Sequence, residues 1–193
     1  MQVIFRGNGS GKIKSMKRNF IIPFFLMLIF PLAIPASEPE KLVGLFAPEF
    51  SLSGTDGTTH RLANMLKSGP VVVAWFPKAY TGNSERMLCS LSATEPELAK
   101  SGVKLVAASG DKIKYLKPYA ESISLKFPIL ADPTRTTAIN WTVVGDGREL
   151  PHRWIFLIGQ DGKIAAVLSE FAADDAGRAV FKRVQELGWV SKP

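Results

Sequence analysis

Thiols are almost missing from this chain of 193 residues: Cys89 is its single cysteine. One thiol excludes an intrachain disulfide framework, and any cluster or zinc site built from several thiolates. Histidine is scarce too. His60 and His152 have no partners at metal-ligand spacing, so both read as surface residues and no metal or other cofactor is expected. Acidic residues are absent from the first 36 positions, which hold Arg6, Lys12, Lys14, Lys17 and Arg18. That asymmetry produces most of the formal charge of +7. From Ser37 onward 19 basic residues stand against 17 acidic ones, a net +2 that gives no support to nucleic-acid binding. Internal repeats and low-complexity linkers are also lacking. The apolar fraction of 46% and charged fraction of 21% exclude a disordered or collagen-like chain. The GNGSGK stretch near the start lacks the glycine spacing, the following Ser/Thr and the preceding strand of a phosphate loop.

What the first 36 residues do contain is ordered by type. A basic segment leads into Phe20–Ile34, FIIPFFLMLIFPLAI, then Pro35, Ala36 and the polar SEPEK. This is the layout of a secretory signal peptide over 1–36, with cleavage expected after Ala36, although Ile34 occupies a position where a small residue is preferred. The apolar run is short for a span of roughly 20 residues, and Pro23 and Pro31 weaken a helix there. An uncleaved membrane anchor is the alternative. No cysteine adjoins the run, which excludes a lipid-anchored lipoprotein. Met16 would itself make a conventional start, leaving 1–15 as an over-extension. The expected location is exported, in a periplasm or outside the cell.

Residues 37–193 read as one α/β domain of alternating strands and helices. Phe50–Leu52 and Thr58–Leu62 flank the turn signal GTDG, and Trp154–Ile158 and Ile164–Leu168 bracket GQDGK. Val71–Phe76 and Val103–Ala108 are continuous apolar runs, as expected of strands buried on both faces, and Phe127–Leu130 is a shorter one. Helical stretches are expected over Ser84–Ser92, Glu95–Lys100, Ile113–Ser122 and Asp174–Leu187. Pro96 interrupts the first pair, with Thr94 as the cap of a restarted helix. Trp75, Trp141 and Trp154 read as core or pocket-rim residues.

The segment WFPKAYTGNSERMLCSL after the first buried strand resembles the peroxiredoxins, specifically the Q-type, bacterioferritin-comigratory branch of the alkyl hydroperoxide reductase/thiol-specific antioxidant family. Further likeness lies in LFAPEFSLSGTDGTTHRL, KFPILADP and HRWIFLIGQDGKI, covering about 43–187. The resemblance implies a thioredoxin-like fold with a central mixed sheet flanked by helices. It also implies thiol-dependent reduction of hydroperoxides in antioxidant defence, with a hydroperoxide substrate and an external thiol as partners. The family signature is a proline, three residues, a threonine, two residues and the attacking cysteine. Pro77 and Thr81 match it, and Ser84 then falls at the peroxidatic position. Cys89 falls at the resolving position five residues on, and Arg153 at that of the active-site arginine.

Each of these residues also has a plain structural role available. Ser84 reads as a helix cap, Thr81 as a turn residue, Pro77 as a strand terminator, Arg153 as a solvated charge and Cys89 as a small buried residue beside Met87, Leu88 and Leu91. A serine hydroxyl stays protonated where a cysteine becomes a thiolate, and it has no sulfenic state to cycle through. Five residues along a helix turn Cys89 about 140° from position 84 and carry it roughly 7.5 Å along the axis. Two functions follow: a non-catalytic descendant that keeps the fold and an anion-friendly pocket, or a one-cysteine thiol peroxidase using Cys89.

Overall fold

Strand β3 (Val71–Trp75) has every side chain buried, and successive residues point to opposite faces. Val72 and Ala74 enter a core with Leu88, Leu116 and Val180, while Val71, Val73 and Trp75 enter a second core with Leu62, Trp141 and Phe156. A strand covered on both faces needs no polar alternation, which explains the uniform VVVAW run. The computed structural model describes residues 38–145 and 147–189, all within one compact unit. The expected signal peptide, its cleavage point and the alternative start at Met16 lie outside the described residues.

Around β3 the sheet is completed by β1 (Ser51–Gly54), β2 (Thr59–Arg61), β4 (Lys104–Ser109), β5 (Ile129–Ala131), β6 (Ile155–Ile158) and β7 (Ile164–Leu168). The strand order is β2-β1-β5-β4-β3-β6-β7. β3, β4 and β5 run parallel, and the remaining pairings are antiparallel. This is the expected mixed sheet. Helices α2 (Gly82–Lys100), α3 (Ile113–Ser122) and α5 (Ala176–Glu186) supply the first core, and the short α1 (Leu62–Leu66) and α4 (Thr136–Asn140) supply the second.

The expected break at Pro96 does not occur. α2 is one helix of 19 residues with Pro96 inside it. Pro96 forfeits the amide that would bond back to Ser92, yet Ser84, Met87, Leu88, Leu91, Ser92 and Leu98 form one buried stripe through that point. Burying a continuous stripe outweighs one missing bond. Thr94, expected as the new cap, instead donates its hydroxyl to the Ser90 carbonyl within the helix (3.4 Å).

α2 is clamped against α5 at Gly177. The Ser90 hydroxyl accepts from the Gly177 amide (3.0 Å) and donates to the Asp174 carbonyl (2.8 Å). A Cβ at Gly177 would overlap the Ser90 carbonyl oxygen and Thr94 Oγ1, so only glycine allows the two helices this approach.

Topology brings three segments to one end of the sheet. The parallel strands β3 and β4 end there. β6 is antiparallel to β3 and begins there, with the Trp75 amide donating to the Trp154 carbonyl (2.8 Å). The loop after β3, the turn after β4 and the approach to β6 therefore meet.

Candidate functional site

The loop from Pro77 to Thr81 is shaped by Tyr80, whose backbone is left-handed (φ 58°), and by the turn after β4. Asp111 Oδ2 accepts from the Ala79 amide (2.8 Å) and from the Ser109 hydroxyl (2.9 Å). Thr81 is extended and serves as the N-cap of α2; the first helical bond runs from the Glu85 amide to the Thr81 carbonyl (3.0 Å). Ser84, expected as a cap, is therefore the third residue of the helix, because Gly82 and Asn83 already have helical backbone.

Ser84 is 1% exposed. Its Oγ lies 2.7 Å from Thr81 Oγ1, which is also 2.8 Å from the Lys78 carbonyl oxygen. The carbonyl can only accept, so a Thr81 proton directed there leaves Ser84 to donate to Thr81; otherwise Thr81 donates to Ser84. Only the first arrangement gives both hydroxyl protons an acceptor. No side chain caps the helix. Among the described residues, the amides of Gly82, Asn83 and Ser84 have no acceptor, and the first turn keeps its partial positive charge.

Pro77, Thr81, Ser84 and Arg153 all line one open cleft of about 570 Å³. Lys78 and Arg148 add two further cations, while Leu150, Pro151, Trp154 and Phe171 supply apolar wall. Four of the five residues singled out in the sequence are thus brought together, and Cys89 is not among the lining. The rotation predicted for Cys89 agrees with this. Its expected burial does not: the thiol is exposed, because it lies off the edge of the stripe that Leu88 and Leu91 bury. Local desolvation, and then the Glu85 carboxylate one turn earlier, push its pKa above the ordinary thiol value.

Both histidines differ from the expected surface residues in being half-buried. His152 is half-buried, stacked on Trp154 (ring centroids 4.8 Å apart, 12° between planes), and lines the cleft. His60 lies 3.0 Å from Asp56 Oδ2 and 2.9 Å from Thr58 Oγ1, which pins the β1–β2 turn. Trp75 and Trp141 are core residues, and Trp154 is both core and cleft rim, as expected.

The AhpC/TSA family model matches residues 43–167. Peroxiredoxin Bcp of Escherichia coli (strain K12) is 32% identical over 149 residues, which is 74% of this chain and 95% of that protein. The chain belongs to the AhpC/TSA family of peroxiredoxins. Among solved structures, peroxidoxin BcpB of Mycobacterium tuberculosis superposes with a TM-score of 0.69 at 28% identity, covering 75% of this chain and 97% of the other. The bacterioferritin comigratory protein of Xanthomonas campestris gives 0.66 at 21% identity, over 72% and 91%, a likeness of fold alone. The thioredoxin-like fold expected from the sequence is the one observed.

Within this peroxiredoxin, Asp111, Lys78 and Arg148 went unforeseen. For Asp111 a signal existed: SGD directly after a buried strand is a turn whose carboxylate can reach back to amides. Arg148 sits in the irregular stretch before β6, where no periodicity assigns a side chain to a face.

Proposed function

We propose that this peroxiredoxin-family protein is exported and does not turn over hydroperoxides, keeping its cleft as a binding site. The observation that carries this is the identity of residue 84. It sits in the first turn of α2 beside Thr81, on the same cleft as Arg153, and by the family signature it is the peroxidatic position. Peroxide reduction there requires a thiolate to attack the O–O bond, forming a sulfenic acid on sulfur and releasing water or an alcohol; a second thiol then reduces the sulfenic acid. Ser84 supplies a protonated, weakly polarisable oxygen already engaged with Thr81. Cys89 is poorly placed to substitute, because it lies off the cleft and a raised pKa leaves less of it as thiolate. Export is supported by the basic-then-apolar order of residues 1–36.

One observation favours a second reading, a one-cysteine peroxidase using Cys89: that thiol is exposed and a peroxide can reach it. The two separate in one experiment. Purified protein is mixed with micromolar hydrogen peroxide and a sulfenic acid trap, then analysed by mass spectrometry. No adduct at Cys89 within minutes is expected, and rapid labelling there would establish the second reading instead.

A further inference from the structure

We infer that the turn after β4 and the first turn of α3 form a docking surface for a bilayer that carries anionic lipids. Lys112, Ile113, Lys114 and Tyr115 are consecutive and all exposed, so this turn stands clear of the domain, and exposed Lys117 follows on the same helix. Tyr115 is 52% exposed and Ile113 37%. Exposed Tyr80, stacked on Tyr119 one turn further along α3 (ring centroids 4.8 Å apart), adds a second phenol beside this helix.

The charge order of α3 is the reverse of what a helix favours. Lys112 and Lys114 stand at the N-terminal end, which disfavours cations, and the one carboxylate of the helix, Glu121, stands near the C-terminal end. The neighbouring Asp111 carboxylate is turned inward to the Ala79 amide and the Ser109 hydroxyl. Among the described residues no acid pairs with Lys112, Lys114 or Lys117. Fold stability therefore does not account for three lysines here, whereas an external anionic surface does.

Apolar groups among the lysines select the kind of anion. A hollow of about 390 Å³ has Ile113, Ala131 and Pro133 as apolar lining, with Lys112 and Lys114 beside them. Lysine stems, tyrosine rings and an aliphatic side chain settle together at the boundary of headgroups and acyl chains, with the ammonium groups on lipid phosphates. A nucleic acid would leave Ile113 and the hollow unused. A second copy packed isologously on this turn would oppose lysine to lysine.

Residues 37–193 hold every described residue of the compact unit and both of its cores. They are tested without the first 36, whose basic and apolar runs would bind lipid themselves. Co-sedimentation is measured with vesicles of phosphatidylglycerol and phosphatidylcholine in equal parts, and with phosphatidylcholine alone. Binding to the anionic vesicles should be at least about tenfold tighter, and should be lost in roughly 1 M salt. One lysine near such a surface contributes about fivefold, so Lys112→Gln, Lys114→Gln and Lys117→Gln combined should weaken binding roughly 100-fold. Removing the same charge at exposed Lys67, Lys100 and Lys182 should weaken it by less than about fivefold. Ile113→Ser with Tyr115→Ser should weaken it by at least about fivefold at unchanged charge. All these positions are exposed, so the variants keep the fold. No binding to anionic vesicles, equal binding to neutral ones, equal loss from the two lysine triples, or binding unmoved by the serine pair each overturns the inference. So does a dimer in sedimentation velocity that the serine pair dissociates, which would make a second copy the occupant.

Discussion

Replacing Asp111 by alanine should release the loop that begins the cleft, with a cost that can be worked from its contacts. Its Oδ2 holds the amide of Ala79, a residue only 5% exposed, at 2.8 Å, and the hydroxyl of fully buried Ser109 at 2.9 Å. A hydrogen bond to a charged group contributes about 1.5–3 kcal/mol, and a buried amide left without acceptor adds its own desolvation cost. The two bonds share one oxygen and are not additive, so Asp111→Ala should cost about 2–3 kcal/mol. In a domain of this size that lowers the melting temperature by roughly 4–12 °C. Asp111→Asn keeps an oxygen for the Ala79 amide and should cost about 1 kcal/mol. Urea denaturation of the three proteins gives the energies, and hydrogen exchange at the Ala79 amide gives the location. A change below about 0.5 kcal/mol for Asp111→Ala, the scale of an ordinary surface substitution, would refute the reasoning. So would unchanged exchange at Ala79.

Gly177→Ala should destabilise the protein by about 1–3 kcal/mol in the same assay. The added carbon would press on the α2 backbone, including Ser90 C at 2.9 Å. This outweighs the roughly 1 kcal/mol that alanine gains over glycine in a helix; a stabilised variant would show that the α2–α5 contact yields freely. Cys89 should react slowly with iodoacetamide at neutral pH, because a raised pKa leaves less thiolate there. Its rate should climb with pH through a midpoint above the ordinary ~8.5, and Glu85→Gln should move that midpoint down without restoring it fully, since desolvation is the larger cause. A wild-type midpoint below about 8 contradicts this environment.

The parts of the fold that could be read from sequence are those where one force dominates. β3 and β4 are buried on both faces, so their apolar runs are unambiguous. The β6–β7 hairpin is marked by GQDGK. Pro96 misled because a local rule about one amide competes with a stripe that spans the whole helix. Ser84 misled because serine is a good cap in general, while here the chain enters helix two residues earlier, at Gly82. The spacing of Pro77, Thr81 and residue 84 did locate one wall of the cleft, and the family likeness brought in Arg153 across the sheet. Arg148 and Phe171 reach the cleft from irregular segments, whose side-chain directions depend on packing that no periodic pattern encodes. The position of Cys89 followed from helical rotation alone. Its exposure follows from the same rotation, which carries it off the buried stripe of α2, and not from the expected packing beside Met87, Leu88 and Leu91.

The chemistry at position 84 is tested most directly by following hydrogen peroxide consumption by wild type and Ser84→Cys side by side, with a thiol reductant in excess. Wild type is expected to consume no more peroxide than the reductant alone. Ser84→Cys, with its thiol in the first turn of α2 on the cleft of Thr81 and Arg153, is expected to gain thiol-dependent turnover. Peroxide consumption by wild type that is lost on Cys89→Ser would contradict the assignment of residue 84 as the position that decides activity.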